Sequence, residues 1–295
     1  MDNGKCRRAT EILKYGYDMH VHAAPDGFER TVDYIQAAKE AGEIGMRGIV
    51  FKDHHFPTVA AAALVQKVVP QVRCYGSMTI SGATGGFNAA AVEKACQRGA
   101  KIIWFPTLET EHFLTVCSGD SNTSHLFRKN GAQKLLYVLD DRGRVKKEVE
   151  EILEVIRDFD AVCSVGHLSK AESWEVVCRA VDMGIRKLKF SHPQGSLGLK
   201  KEEQVEFAEK GVYMSYTFLN CIDGDNLLPV GELVQMICAV GPEKAILSSD
   251  GGQLSVPKPR DLMVRSCAVL LESGVPEETL KAMVRYNPAY LLGDQ

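Results

Sequence analysis

Eight short apolar segments recur along the chain, and this repeat constrains the fold more than any other feature. They lie at 15–22, 47–53, 72–80, 100–106, 161–167, 187–192, 212–218 and 245–250. Their ends are 25 to 33 residues apart, except for one interval of 61 residues after the fourth. Parallel strands are joined by crossover helices, and such a unit occupies about 30 residues. The repeat therefore predicts strand–helix units around a parallel sheet.

Start signals for helices stand between these segments. Asn88 precedes the run AAAVEKACQ, and Ser169 with Glu172 has the spacing of a capping box. Eight such units predict an α/β protein with a (β/α)8 TIM barrel, built as a single domain over residues 1–295. An open doubly wound sheet is the alternative, but GATGG at 82–86 lacks the spacing of a dinucleotide-binding loop.

The long interval after the fourth strand predicts an insertion at 107–146 that forms a loop or lid. It contains the polar run SGDSNTS at 118–124 and a candidate hairpin at 135–145. The last segment of the chain, 274–295, is expected to be helical.

The charge balance favours a small-molecule partner. Lys and Arg total 35 against 38 Asp and Glu, so no basic excess points to nucleic acid or an acidic membrane surface. No apolar run reaches the about 18 residues that a membrane span needs, and no apolar run follows Met1, so we expect neither a membrane span nor a secretory signal. We expect a cytoplasmic protein that acts on a small molecule and that could form homo-oligomers.

Cysteine usage agrees with a reducing compartment. The chain has nine cysteines, an odd number, and no CxxC pair. Cys74, Cys163, Cys178 and Cys238 stand in apolar stretches, so we expect buried thiols rather than disulfides or a nucleophile.

Histidines gather at the predicted strand ends. His20 and His22 are two residues apart on the first strand, so alternation places both on one face, and Asp18 is expected to share it. On the second strand, Lys52 and His54 share one face, and Asp53 and His55 share the other. Since one face alone can point to the barrel axis, we expect Lys52 and His54 to point there.

Three later strands also end in polar residues. Alternation places His167 in phase with Val165, and His192 in phase with Phe190, so we expect both histidines to face the axis. Asp250 ends the eighth strand and precedes two glycines, which allow a ligand to approach the backbone closely. A barrel brings the carboxyl ends of all its strands together.

Such a ligand set predicts a divalent metal site. Imidazole and carboxylate ligands with open positions suit Zn²⁺, with Mn²⁺, Fe²⁺ or Ni²⁺ as alternatives, in one or two ions. A bound ion lowers the pKa of its water to about 7, and a neighbouring carboxylate can accept the proton. Such a pair suits the attack of water on a carbonyl or phosphoryl centre.

The chain resembles the amidohydrolase superfamily, with HxH after strand one, histidines after strands five and six, and aspartate after strand eight. The ending YNPAYLLG at 286–293 resembles the NPA-x-LLG ending of many members. DMHVHAAPD, FKDHHFPT and SSDGGQ resemble an uncharacterised branch with no assigned substrate.

The resemblance implies a role for each matching residue. His20 and His22 would hold the more buried metal together with Asp250, which would also be the general base. His167 and His192 would hold a second metal or orient the substrate.

Strand four departs from the family pattern. Two-metal members usually carry a bridging carbamylated lysine or a glutamate there, whereas this strand continues as WFPTLETEH. Glu109 or His112 could substitute as an additional ligand. Lys52 could bridge as a carbamate, or bind a substrate carboxylate or phosphate as an ammonium group.

Several functions remain open at this point. The first is a metal-dependent hydrolase that acts on an amide, lactone or ester of a small polar molecule. The second is a single-metal decarboxylase or other lyase on the same barrel. A phosphoesterase of the type that ends in Asp-x-His lacks its last ligand here, because two glycines follow Asp250. A non-catalytic metal-binding protein is the remaining alternative.

Overall fold

A computed structural model describes residues 3–117, 134–195, 198–222 and 227–294. Strands β1 to β8 are Tyr17–Val21, Gly48–Phe51, Arg73–Thr79, Ala100–Trp104, Val162–Ser164, Leu188–Ser191, Val212–Thr217 and Ala245–Ser248. In the described parts, helices α1 to α12 are Asn3–Leu13, Tyr34–Glu43, Val59–Val68, Ala89–Gln97, Glu111–Cys117, Lys147–Asp158, Lys170–Asp182, Lys201–Glu209, Val230–Val240, Pro259–Glu272, Glu277–Lys281 and Asn287–Leu292.

The strands form one parallel barrel in sequence order. Each strand pairs in parallel with the next from β1 to β8. The barrel closes where the His22 N–H donates to the Gly251 carbonyl at 2.9 Å and the Asp250 N–H donates to the His20 carbonyl at 2.9 Å. The predicted (β/α)8 barrel is confirmed, and the open doubly wound sheet is wrong.

Apolar side chains form two layers around the strands. The inner cluster fills the barrel with Tyr17, Met19, Val50, Ile102, Trp104, Val162, Tyr213 and Ile246. The larger outer cluster joins the other strand faces to the helices, for example Phe190 on β6 to Phe207 on α8. Every strand is thus buried on both faces, as parallel sheets generally are.

The predicted helix starts are confirmed. The Asn88 side chain accepts the Ala91 N–H at the start of α4, and Ser169 and Glu172 form a reciprocal capping box at the start of α7. These bonds satisfy N–H groups that the first helical turn leaves free.

The insertion begins with α5, whereas its polar run at 118–124 lies outside the described residues. In place of a full hairpin at 135–145, the structure has a single antiparallel bridge between Leu139 and Val145. The Asp140 carboxylate accepts the N–H groups of Arg142 and Arg144, so a tight turn replaces the paired strands.

The last helix closes the bottom of the barrel. Leu291 and Leu292 pack into the inner cluster, and the Asn287 amide donates to the carbonyls of Pro242 and Ala245, both at 2.7 Å. The buried Asp294 carboxylate accepts hydroxyl bonds from Tyr17 and Tyr75 at 2.6 and 2.7 Å, and pairs with two arginines, Arg47 and Arg73. This end of the chain therefore completes the core.

None of the described helices is both long and apolar enough to cross a membrane. The nine cysteines all lie in the described residues and are free thiols. Cys163 is buried as expected, and burial raises its pKa to about 12, but Cys238 is exposed on α9 because it lies on the solvent side of that helix.

We expect Asp294→Ala to lower the free energy of unfolding by about 1.5–3 kcal/mol, because the buried Tyr17 hydroxyl loses a charged acceptor and the partly buried Tyr75 hydroxyl loses the same partner. Chemical denaturation measures the loss. Asp261→Ala is the matched control, since Asp261 pairs on the surface with Arg260. An equal, small effect of both substitutions would contradict the role of Asp294.

Candidate metal centre

One carboxylate lies at the centre of the site. Asp250 Oδ1 lies 2.9 Å from His20 Nε2 and 3.2 Å from His22 Nε2, and its Oδ2 lies 3.5 Å from His192 Nε2. The two histidines of β1 are themselves 3.2 Å apart between their Nε2 atoms. Strands β1, β6 and β8 thus bring four predicted residues together at their carboxyl ends.

An irregularity in β1 separates Asp18 from these histidines. The register with β2 shifts between Asp18 and Val21. The Asp18 carboxylate accepts the N–H groups of His20 and Ser249 at 3.2 and 3.0 Å, so it stabilises backbone at the barrel seam. The expectation that Asp18 shares the face of the histidines is wrong, because the extra residue interrupts strand alternation.

The predicted phase of the later histidines is also wrong. Val165 and Phe190 pack in the outer cluster between strands and helices, not on the barrel axis. His192 reaches the site because its own φ is +54°, and Gly166, with φ +65°, turns the chain before His167. The backbone of Asp250 also adopts the left-handed conformation, with φ +52°. Non-glycine residues adopt this conformation at a cost, and they cluster at functional sites.

Lys52 and His54 follow β2 and point inward. The His54 ring stacks on the His22 ring with centroids 4.9 Å apart, and its Nδ1 lies 2.9 Å from the Thr107 hydroxyl. The Lys52 side chain is buried, and its Nζ lies 4.7 Å from the centre of the Trp104 ring. Asp53 instead accepts backbone N–H groups of its own loop.

The two additional ligand candidates do not belong to the metal-binding group found among the described residues, which consists of His20, His192 and Asp250. Glu109 accepts the Gly82 N–H at 2.6 Å and so fixes the loop after β3. His112 lies half-buried on α5. Trp104 ends β4, and its ring packs against His20 at 4.9 Å between centroids.

Sequence reasoning missed a second buried lysine, Lys189 on β6. Its Nζ lies 4.2 Å from the centre of the Trp104 ring and donates to the Ser191 hydroxyl at 2.9 Å. The signal was present, because Lys189 and Ser191 alternate with the outward-facing Phe190 and form the polar face of that strand.

Sequence reasoning also missed a buried ion pair behind His22. Arg30 Nη2 lies 2.7 Å from Asp26 Oδ2 and 3.2 Å from His22 Nδ1, and both members of the pair are almost completely buried. Asp26 Oδ2 is 4.0 Å from the same ring nitrogen. Groups that contact the second nitrogen of a ligating histidine orient its ring.

Apolar side chains cover the site from above. Phe113 on α5 stacks on the His167 ring with centroids 5.0 Å apart, and Phe28 lies edge-on to His54 at 6.2 Å. Phe28 and Phe113 pack with Leu108 and Cys117 in a separate small cluster. The first helix of the insertion therefore forms part of the cover.

Burial dominates the electrostatics of the site. It lowers the pKa of His22 and His192 to about 4, and it holds the pKa of His20, His54 and His167 well below the usual range. Burial also lowers the pKa of Lys52 to about 8 and raises that of Asp18 to about 7. The neighbouring histidines outweigh burial at Asp250 and hold its pKa well below the usual range.

These residues fit a divalent metal ion. Both ring nitrogens of His167 and Nδ1 of His20 are buried and make no hydrogen bond within the described residues. Neutral imidazole and ionised carboxylate are the protonation states that ligate metals. One ligand atom each from His20, His192 and Asp250 lies within 4.8 Å of the others.

Comparison with known sequences identifies the family. The model of a family of unknown function, DUF6282, matches residues 16–215. The chain belongs to this family. A search of curated proteins finds no significant match.

Solved structures with the same fold include three hydrolases by name. An amidohydrolase from Pseudomonas aeruginosa is 12% identical with a TM-score of 0.62, and the match covers 98% of both chains. The probable dipeptidase PvdM from the same organism is 10% identical with a TM-score of 0.60, covering 100% of this chain and 99% of the other. The organophosphorus hydrolase from Deinococcus radiodurans is 13% identical with a TM-score of 0.58, covering 97% and 94%. The resemblance to the amidohydrolase superfamily is confirmed at the level of the fold.

The lowered histidine pKa values predict acid-sensitive stability. Below the unfolded value of 6.5, the unfolded chain binds protons that the folded chain excludes down to about 4, so stability is full above 6.5 and is lost as pH falls through this window. In metal-free protein, each such histidine contributes a slope of about 1.4 kcal/mol per pH unit.

We expect His192→Asn to reduce the dependence of the unfolding free energy on pH by about 1.4 kcal/mol per pH unit. Denaturation series between pH 7.5 and about 4.5 would measure this change. Val162→Ala is the control, because it perturbs the barrel interior without removing a titrating group. If His192→Asn leaves the slope at the wild-type value, His192 is not held neutral by burial.

Proposed function

We propose that the protein is a metal-dependent hydrolase that acts on an amide, lactone or ester bond of a small polar molecule. The observation that carries the proposal is the convergence of His20, His192 and Asp250, with ligand atoms within 4.8 Å of one another. His22 extends this set, because its Nε2 lies 3.2 Å from the same carboxylate.

The donor set favours Zn²⁺. Catalytic zinc sites commonly combine three protein ligands with an open position, whereas Mn²⁺, Fe²⁺ and Ni²⁺ remain alternatives. His167, with both nitrogens unpartnered among the described residues, and His54 are the candidates for a second ion or for substrate. A bound divalent ion would supply a water of lowered pKa and polarise the substrate carbonyl.

Asp250 is the proposed general base. It is the carboxylate shared by His20, His22 and His192, and those contacts keep it ionised and able to take a proton. Its left-handed backbone turns the side chain towards the histidines instead of along the strand. The aromatic cover of Phe28 and Phe113 would exclude bulk water from the reacting groups.

The names of the solved neighbours support hydrolysis in general. They are an amidohydrolase, a probable dipeptidase and an organophosphorus hydrolase, all with the same barrel. We further propose that the protein works in the cytoplasm on a small molecule, without nucleic-acid or membrane partners, and that it can form homo-oligomers.

Metal analysis followed by an activity screen tests the proposal. Purified protein should contain at least one equivalent of a divalent metal, and chelation should abolish hydrolysis of a panel of lactones, cyclic amides and esters. Hydrolysis should return with added Zn²⁺ or Mn²⁺. Hydrolysis that persists without metal, or release of carbon dioxide in place of hydrolysis, would contradict a metal-dependent hydrolase.

We expect Asp250→Asn to lower kcat by about 10²- to 10⁴-fold, the usual contribution of a general base, while the histidines retain part of the metal. Steady-state kinetics and metal content together measure this. Asp182→Asn, on the exposed side of α7, is the matched control. Activity of Asp250→Asn within tenfold of wild type would rule out the general-base role.

A further inference from the structure

We propose that the barrel interior beneath the histidines binds a carboxylate group of the substrate, held between Lys52 and Lys189. The inference deepens the proposed function by naming a substrate class, and it rests on that function for the chemistry that follows binding. Both lysines are at most 1% exposed, and their Nζ atoms lie 4.7 and 4.2 Å from the centre of the same Trp104 ring. Because both distances are measured to the same ring centre, the two Nζ atoms are less than about 9 Å apart.

Neither lysine forms a direct ion pair with a described residue. Among the ion pairs of the described residues, none involves Lys52 or Lys189. The Lys189 Nζ donates to a neutral hydroxyl, that of Ser191. The carboxylates of Asp250 and Asp18 raise the pKa of Lys189, and those of Asp250, Asp26 and Asp53 raise the pKa of Lys52. The two Asp250 oxygens nevertheless lie against the histidines.

Burial lowers the pKa of both lysines, and a protonated lysine at either position carries a positive charge without a direct ion pair. Buried charges are normally paired, because an unpaired ammonium group loses its hydration without compensation. A divalent ion at Asp250 would add two more positive charges to the neighbouring side of the site. An anionic group between the lysines would relieve this imbalance, and the indole faces offer partial compensation until it binds.

Small hydroxyl side chains line the barrel around these lysines. Ser164, Ser191, Ser215 and Ser248 are buried on β5 to β8, in hydroxyl pairs 3.2 and 3.3 Å apart. Barrel interiors are usually filled by bulky branched residues at such layers. Serines leave more room and offer donors to an oxyanion.

The lined region adjoins the metal ligands directly. Ser191 precedes His192, and Ser248 stands two residues before Asp250. A carboxylate at Lys52 and Lys189 would therefore anchor one end of a molecule whose other end reaches Asp250. Lysine donates as a point charge, which suits a small carboxylate.

Tryptophan fluorescence tests binding without any need for catalysis. The chain has two tryptophans, and Trp174 lies on α7 against Phe207, so a Trp174→Phe background reports on Trp104. Metal-free protein in this background should show a saturable change with acetate or benzoate. Lys189→Met and Lys52→Met should each weaken binding about tenfold or more, the loss expected for a charged hydrogen bond.

Lys187→Met is the matched control, because Lys187 precedes the same strand but pairs with Asp160 at the opposite end of the barrel. It should bind carboxylates as wild type does. Removing a buried unpaired charge should leave the thermal unfolding temperature of Lys189→Met unchanged or raised. If this variant does not fold, Lys189→Gln and Lys52→Met provide the same test.

Four results would overturn the proposal. They are no saturable signal, unchanged affinity in both the Lys52 and the Lys189 variants, saturation by inorganic phosphate alone, and loss of about one metal equivalent in Lys52→Met with carboxylate binding intact. The last result would identify Lys52 as a metal-bridging group.

Substrate pairs separate this inference from the proposed function. Lactones and amides with a free carboxylate should have a lower KM than their methylamide counterparts, and Lys189→Met should remove the difference. Carboxylate binding without any hydrolysis would contradict the proposed function while supporting the inference. Hydrolysis with no preference for the substrate that has a free carboxylate would support the proposed function and contradict the inference.

Discussion

The seam between β1 and β8 is the constraint on which the rest of the site depends. Two backbone hydrogen bonds there, from His22 to Gly251 and from Asp250 to His20, close the barrel and place the first and last ligands beside each other. The Asp18 carboxylate reinforces the seam by accepting N–H groups from both strands. The same two hydrogen bonds therefore close the sheet and assemble the candidate ligands.

Bringing these groups together has a cost that the rest of the barrel offsets. His192 and Asp250 adopt left-handed backbone conformations, and each such residue costs on the order of 1–3 kcal/mol. Several neutral histidines and two lysines are buried with few partners. At the opposite end, the apolar plug of Leu291 and Leu292 and the shared carboxylate of Asp294 supply packing and hydrogen bonds. The site and the stabilising contacts thus lie at different ends of the barrel.

Trp104 contacts both a candidate metal ligand and the buried lysines. It stands at the end of the fourth strand, where the resemblance implies a lysine or a glutamate, and its ring contacts His20 and both buried lysines. The positive charge of the interior therefore comes from β2 and β6 instead of from β4. The indole of Trp104 offers no lone pair to a metal ion, so this residue cannot bridge two ions.

The sequence by itself determined the fold and predicted four of the residues that meet at the carboxyl end of the barrel. The repeat of apolar segments predicted all eight strands, and the polar residues that end them include His20, His22, His192 and Asp250, because any closed parallel barrel must bring its strand ends together. Tertiary structure alone decided the directions in which the side chains at the strand ends point. Strand alternation is a local rule, and it failed where the β1 irregularity displaced Asp18 and where a positive φ turned His192 inward. It likewise decided that Glu109 stabilises a loop and that Lys52 and Lys189 both lie against the Trp104 ring, because both depend on neighbours distant in the sequence.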